Sequence, residues 1–239
     1  MQQPDLIKAI FEFVLLIFSL SVHECAHAWT ASRLGDQTAR MLGRVTLNPM
    51  VHVDPIGTLL FPAVIIFGPL SPFHFTFFSG LLVGWAKPTP VTTRNLRKIV
   101  RDDNLVTLAG PASNMLIVLV AFVILAAMII VIPNGQRVVL DAVDAAMTPG
   151  SDVTKQPLVL LCTLAILINL SLCVFNLLPI PPLDGSRLMR NMLPYNAVQV
   201  YDRIPIWVSY LLMVTVGGTI IWTLVTPMLW LVLWALVHV

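Results

Sequence analysis

Charge is what this sequence has least of. Only 11% of its 239 residues are Asp, Glu, Lys or Arg, against roughly a quarter in a soluble domain. With 57% hydrophobic residues and a mean hydropathy of +0.87, that deficit excludes a soluble globular protein and predicts a multispanning membrane protein in contact with the lipid bilayer. The net charge of +2 is too small to suggest nucleic acid as a partner. The three cysteines, Cys25, Cys162 and Cys173, all lie in apolar runs. That is no disulfide framework, and Cys162 and Cys173 read as lipid- or helix-facing packing. Glutamate is scarcer still, with Glu12 and Glu24 the only two. No repeat or low-complexity segment is present. The first apolar run lacks the basic start of a cleavable leader. The expectation is one integral membrane domain over 1–239.

What is present is concentrated at His23-Glu24-Cys25-Ala26-His27. This is His-Glu-x-x-His, a zinc-hydrolase signature. On a helix, residues i and i+4 share a face, so His23 and His27 can turn ring nitrogens to one metal. Glu24 is rotated by about 100° from His23, which suits it to hold a water beside the metal. Cys25 falls on the far side of the turn and is not counted as a ligand. The bland alternative is a chance match with two packed histidines. The setting argues against it, because the motif lies inside the apolar run from Leu6 to Trp29. Each ionisable group there costs about 2.5 kcal/mol or more on insertion scales.

In chain order, the first span covers about 6–34, with Lys8 and Glu12 placed to pair. Residues 35–55 form a polar break. Arg44-Val45-Thr46-Leu47 alternates in a strand-like period, and Gly43 and Asn48-Pro49 are turn signals, so a short β-hairpin or loop against the membrane is expected. His52 reads as an additional ligand or, more plainly, as a loop histidine making a hydrogen bond. Residues 56–69 and 75–85 are apolar but short, which fits two tilted spans or a re-entrant hairpin; His74, at the break, reads as interfacial. The loop 87–103 carries Lys87, Arg94, Arg97, Lys98 and Arg101 and is cytoplasmic by the positive-inside rule. Further spans follow at 104–132 and 157–178, separated by an outer loop with Asp141 and Asp144. The stretch 206–239 crosses once or twice, with Gly217-Gly218 and Pro227 as candidate kinks. The fold class is therefore an all-α polytopic bundle of five to six spans. Its basic loops put His23, His27, Asn114 and Asp184 at one depth near the cytoplasmic face.

Catalytic zinc takes three protein ligands and a water. No glutamate follows the motif, and Arg33 stands where a third histidine would fall six residues after His27. The remaining candidates are the aspartates, His52, His74 and His238. Asp184 stands out, after the helix-breaking Pro179, Pro181 and Pro182 and on the correct side. An interfacial aspartate capping a helix is the equal alternative.

Taken together, these pieces resemble the site-2 protease family of intramembrane zinc metalloproteases, in its minimal prokaryotic form without PDZ or CBS modules. The resemblance rests on His23 to His27, on Gly110-x-x-x-Asn114, and on Asn176-x-x-Pro179 followed by Leu183-Asp184-Gly185. Gly43 to Pro49, with His52 and Asp54-Pro55, adds to it. It covers about residues 10–195. It implies one Zn2+ held by His23, His27 and Asp184, with Glu24 as general base. It implies transmembrane-helix proteins as substrates, cleaved at a site toward the cytoplasmic side of the cell membrane. Asn114 and Asn176 match positions associated with substrate and active site, where an asparagine would stabilise the oxyanion. An unwound substrate would pair with an exposed edge, for which Thr46 is the candidate. Self-association into a homo-oligomer stays open. Two other readings use the same residues: a membrane metal transporter, and a catalytically silent scaffold that binds membrane segments.

Overall fold

A computed structural model of the chain describes residues 3–68, 86–148 and 156–239. Residues 75–85, half of the expected short spans or re-entrant hairpin, lie outside the described residues, as does His74.

Four helices are long and apolar enough to cross a membrane. The first belongs to α1 (Gln3–Leu34), which has neither Gly nor Pro after Pro4. It stops at Gly35, whose φ of +119° favours glycine and whose Cβ would stand 2.8 Å from the Asn95 carbonyl oxygen. The second is α5 (Ile99–Val131), the third α7 (Pro157–Asn176), with proline at its first turn where no N–H is needed. The fourth is one run from Ile206 to Val237. It comprises α10 (Ile206–Leu212), a π-helical turn at Met213–Gly217, and α11 (Gly218–Val237). Gly217 and Gly218 lie where the π-helical turn passes into α11, Pro227 sits inside α11, and the run stays one continuous helical stretch. Pro55–Phe67, a π-helical turn leading into α4 (Phe61–Phe67), is apolar but shorter.

The spans are arranged around α7. Of its apolar window 78% is buried, against 33%, 28% and 22% for the other three. Lipid tails are as apolar as leucine, so the spans are held by close shape fit and interhelical hydrogen bonds rather than by escape from water. Val118 and Leu125 of α5, Ile166 and Leu170 of α7, and Val225 of α11 share one core. Between α1 and α7, Asn169 Nδ2 donates to Ser19 Oγ at 3.0 Å. Cys162 and Cys173 are free and buried, Cys162 within the core shared by α5, α7 and α11.

Of the short hairpin or loop expected after the first span, the loop is the one formed. The described residues contain no β-strand, so the hairpin expected after the first span is not formed within 35–55. Instead α2 (Thr38–Met41) and α3 (Pro49–His52) flank an irregular stretch. Asn48 accepts from the Met50 N–H and Pro49 fills the first helical position, which starts a helix where a return strand would begin. The outer loop is largely helical too: α6 (Gly135–Met147) buries Val139, Val143 and Ala146 and exposes Asp141 and Asp144. Lys8 donates its ammonium to the Ala146 carbonyl at 2.8 Å, capping α6.

Candidate active site

The site is built where α1 ends, α5 begins and α8 (Asp184–Met192) follows α7. His23 and His27 stand one turn apart on α1, both buried. His27 Nδ1 lies 2.7 Å from the Val106 carbonyl oxygen of α5. A carbonyl can only accept, so Nδ1 carries the proton and Nε2 presents its lone pair. On His23, Nδ1 is 3.3 Å from the Asn114 amide. A half-turn of that amide puts Oδ1, buried with no other partner, on the ring nitrogen. There it accepts from Nδ1–H and leaves His23 Nε2 bare.

Both bare nitrogens meet Asp184. His23 Nε2 is 3.0 Å from Asp184 Oδ2, His27 Nε2 is 3.2 Å from it, and the two nitrogens are 3.0 Å apart. Ligands of four-coordinate zinc, with bonds of about 2.0–2.1 Å, stand about 3.3 Å from one another. The triangle is slightly tight and otherwise of the right size, and two imidazoles with one carboxylate are a donor set that suits zinc. The residues present therefore fit the metal. Glu24 is half-buried and outside the triangle.

Two glycines make the convergence sterically possible. A Cβ on Gly110 would come within 2.4 Å of His27 Nε2 and 2.5 Å of His23 Nε2. Helix α5 thus presses bare backbone against the ligand nitrogens. A Cβ on Gly185 would meet the Leu177 carbonyl oxygen at 2.2 Å, so the turn from α7 into α8 closes only with glycine there. Asp184 is further fixed by what α8 does one and two turns on. Arg187 pairs with the buried Asp103 of α5, and Asn191 Nδ2 donates to Asp103 Oδ2 at 2.8 Å and to Asn104 Oδ1 at 2.7 Å.

The other sequence-derived candidates are placed elsewhere. His52 is buried and its Nε2 donates to the Thr46 carbonyl oxygen at 2.9 Å; it closes the 46–52 loop, as the plainer reading had it, and is not among the converging ligands. That bond engages the Thr46 carbonyl, and with no strand at 44–47 the expected substrate-pairing edge is not formed there. Asn176 Nδ2 donates to the Leu172 carbonyl of its own helix. His238 is exposed beside Trp234 at the far end of α11.

One contact was not foreseen. Thr89 meets Glu24: its N–H and hydroxyl both reach Oε2, at 2.9 and 2.8 Å. The only sequence signal was Pro88-Thr89-Pro90. Proline on both sides forbids helix and leaves Thr89 the one N–H donor of the three. A second anchor lies at Asp36, just past α1. Its buried carboxylate accepts from the Thr38 and Thr92 N–H groups, the Thr38 hydroxyl and the Asn95 amide. Burial pushes that carboxyl up, and these hydrogen bonds outweigh it, holding it below its usual range.

Comparison with known proteins agrees with this geometry. Residues 11–216 match the profile of peptidase family M50. The chain is 35% identical over 181 residues to the "Putative zinc metalloprotease YwhC" of Bacillus subtilis (strain 168), covering 76% of this chain and 68% of that protein. It is 30% identical to proteins described as "Putative zinc metalloprotease Rip2". For the one from Mycolicibacterium smegmatis, the match covers 72% of this chain and 55% of the relative; for the one from Mycobacterium tuberculosis, 77% and 58%. No solved structure matches. The chain belongs to peptidase family M50, the site-2 proteases, and is a zinc metalloprotease.

Proposed function

We propose that this protease hydrolyses peptide bonds within or beside transmembrane segments of other membrane proteins, from a site on the cytoplasmic side of the cell membrane. The observation that carries the reading is the meeting of His23 and His27 with Asp184, 161 residues away in the chain, at one end of the membrane-crossing helices. Supporting the orientation, that same end carries Arg40, Arg44, Lys87, Arg94, Arg97, Lys98, Arg101, Arg187 and Arg190, while the opposite end exposes Asp141 and Asp144.

His23, His27 and Asp184 would hold the zinc, which when bound would supply a water of lowered pKa and Lewis acidity toward the scissile carbonyl. The chain's own groups do the rest. Glu24 takes the proton from the attacking water and returns it to the leaving amine. Val106 and Asn114 fix the two imidazoles through their rear nitrogens. A site placed at the cytoplasmic end of the bundle would need only a short path for water.

The test is to incubate the purified protein with a panel of single-span membrane proteins, with and without chelator, and to sequence the cut ends. Cleavage that chelator stops and Glu24→Gln abolishes, with zinc content kept, is the expected result. Intact substrates throughout the panel would refute it. A transporter would show altered metal flux in Glu24→Gln. Among the described residues His23, His27 and Asp184 form the one group of this kind, so a transit path has no second station there.

A further inference from the structure

We infer that Thr89 is the positioning residue of Glu24. It anchors Oε2 through both its N–H and its hydroxyl, and so leaves Oε1 as the oxygen that takes the proton. The inference rests on the reading of Glu24 as the general base.

Residues 86–92 cross α1 without regular structure and are tied down at three points. The Lys87 N–H donates to the His52 carbonyl at 2.8 Å. Thr89 holds Glu24. The Thr92 N–H donates to Asp36 Oδ2 at 2.7 Å. The strap is thus fixed before, at and after the point where it meets the catalytic helix. Glutamate has three rotatable side-chain bonds, and a half-exposed one samples several rotamers. Here two donors converge on a single oxygen. Donors on Oε2 reduce the number of lone pairs free there and fix the carboxylate plane, so Oε1, which accepts no hydrogen bond from the described residues, is presented in one direction. The hydroxyl also lies 3.0 Å from the Glu24 backbone carbonyl oxygen. It has one proton, and the nearer acceptor, the charged Oε2 at 2.8 Å, takes it. A base held in place before substrate arrives is the preorganisation that proton transfer needs.

The test uses the full-length protein in detergent and a single-span substrate cut by the wild type. Thr89→Val removes the hydroxyl at constant shape; Thr89→Ser keeps it. The expected result for Thr89→Val is a fall in kcat of about tenfold or more, with KM, zinc content and melting temperature unchanged, and Thr89→Ser close to wild type. A second readout needs no substrate. With threonine labelled by nitrogen-15, the Thr89 amide proton, hydrogen-bonded to a carboxylate, resonates downfield in the wild type and moves upfield in Glu24→Ala. Wild-type kcat in Thr89→Val, no rescue by serine, or an amide signal indifferent to Glu24→Ala would overturn the inference. So would a fall in kcat accompanied by lost zinc or a lowered melting temperature, which would make Thr89 merely structural. If Glu24→Gln itself still cleaves, the reading of Glu24 fails instead, while the amide signal still reports whether Thr89 holds it.

Discussion

At the scale of single residues, Gly110 decides whether the ligand nitrogens have room. Its missing Cβ is the space they occupy. Gly110→Ala is expected to displace His23 and His27 and to lower zinc occupancy and cleavage together by about a hundredfold, measured by metal analysis of the purified protein. Leu116→Ala, on the exposed side of α5, should leave both unchanged. Asp36 makes a prediction in pH. Its folded-state pKa is depressed, so its contribution is fully present above the unfolded value of about 3.9 and is lost as pH falls through the acid range. Asp36→Asn should therefore melt below wild type at pH 7, by about 1–2 kcal/mol, and the gap should close toward pH 3 in thermal melts. The motif histidines and Glu24 were legible because their chemistry needs a fixed spacing. Thr89 was not, since it lies 65 residues from its partner and threonine marks no reaction by itself.

Among elements, α8 matters most. It is nine residues long, too short to be stable alone, and its position comes from Arg187 and Asn191 on Asp103. Arg187→Ala leaves the buried Asp103 carboxylate with one donor fewer, a cost of about 2 kcal/mol or more. It should weaken zinc binding through a displaced Asp184, read as a raised dissociation constant in a chelator competition. Asp184 was half visible in the sequence: the prolines after α7 marked it, but a helix-capping aspartate read equally well, and the Leu183-Asp184-Gly185 resemblance tipped the balance. The α8 anchor was hidden, because Asp103 sat in a basic loop where a solvated carboxylate is equally expected. The absent hairpin has a physical origin as well. The alternation at Arg44 to Leu47 is only four residues long, and side-chain bonds to the main chain, Arg44 to the Val51 carbonyl and His52 to Thr46, take acceptors that a ladder would need.

At the scale of the molecule, the spans were legible because each is a long apolar helix, whereas the site depended on which ends share a side. That orientation can be tested. Arg101→Cys should resist a membrane-impermeant maleimide in intact cells and react once the membrane is opened; Asp141→Cys should react in intact cells. Labelling in the opposite order would invert the topology.

The wide separation of His27 and Asp184 along the chain has a consequence for synthesis. The first helix leaves the ribosome carrying both imidazoles and the glutamate, but no third ligand. The ligand set closes only after two later spans, α5 and α7, have been threaded and α8 has docked beneath them. A half-made chain is thus an unarmed one, and nascent molecules stopped before residue 184 should retain no zinc and leave neighbouring membrane proteins uncut.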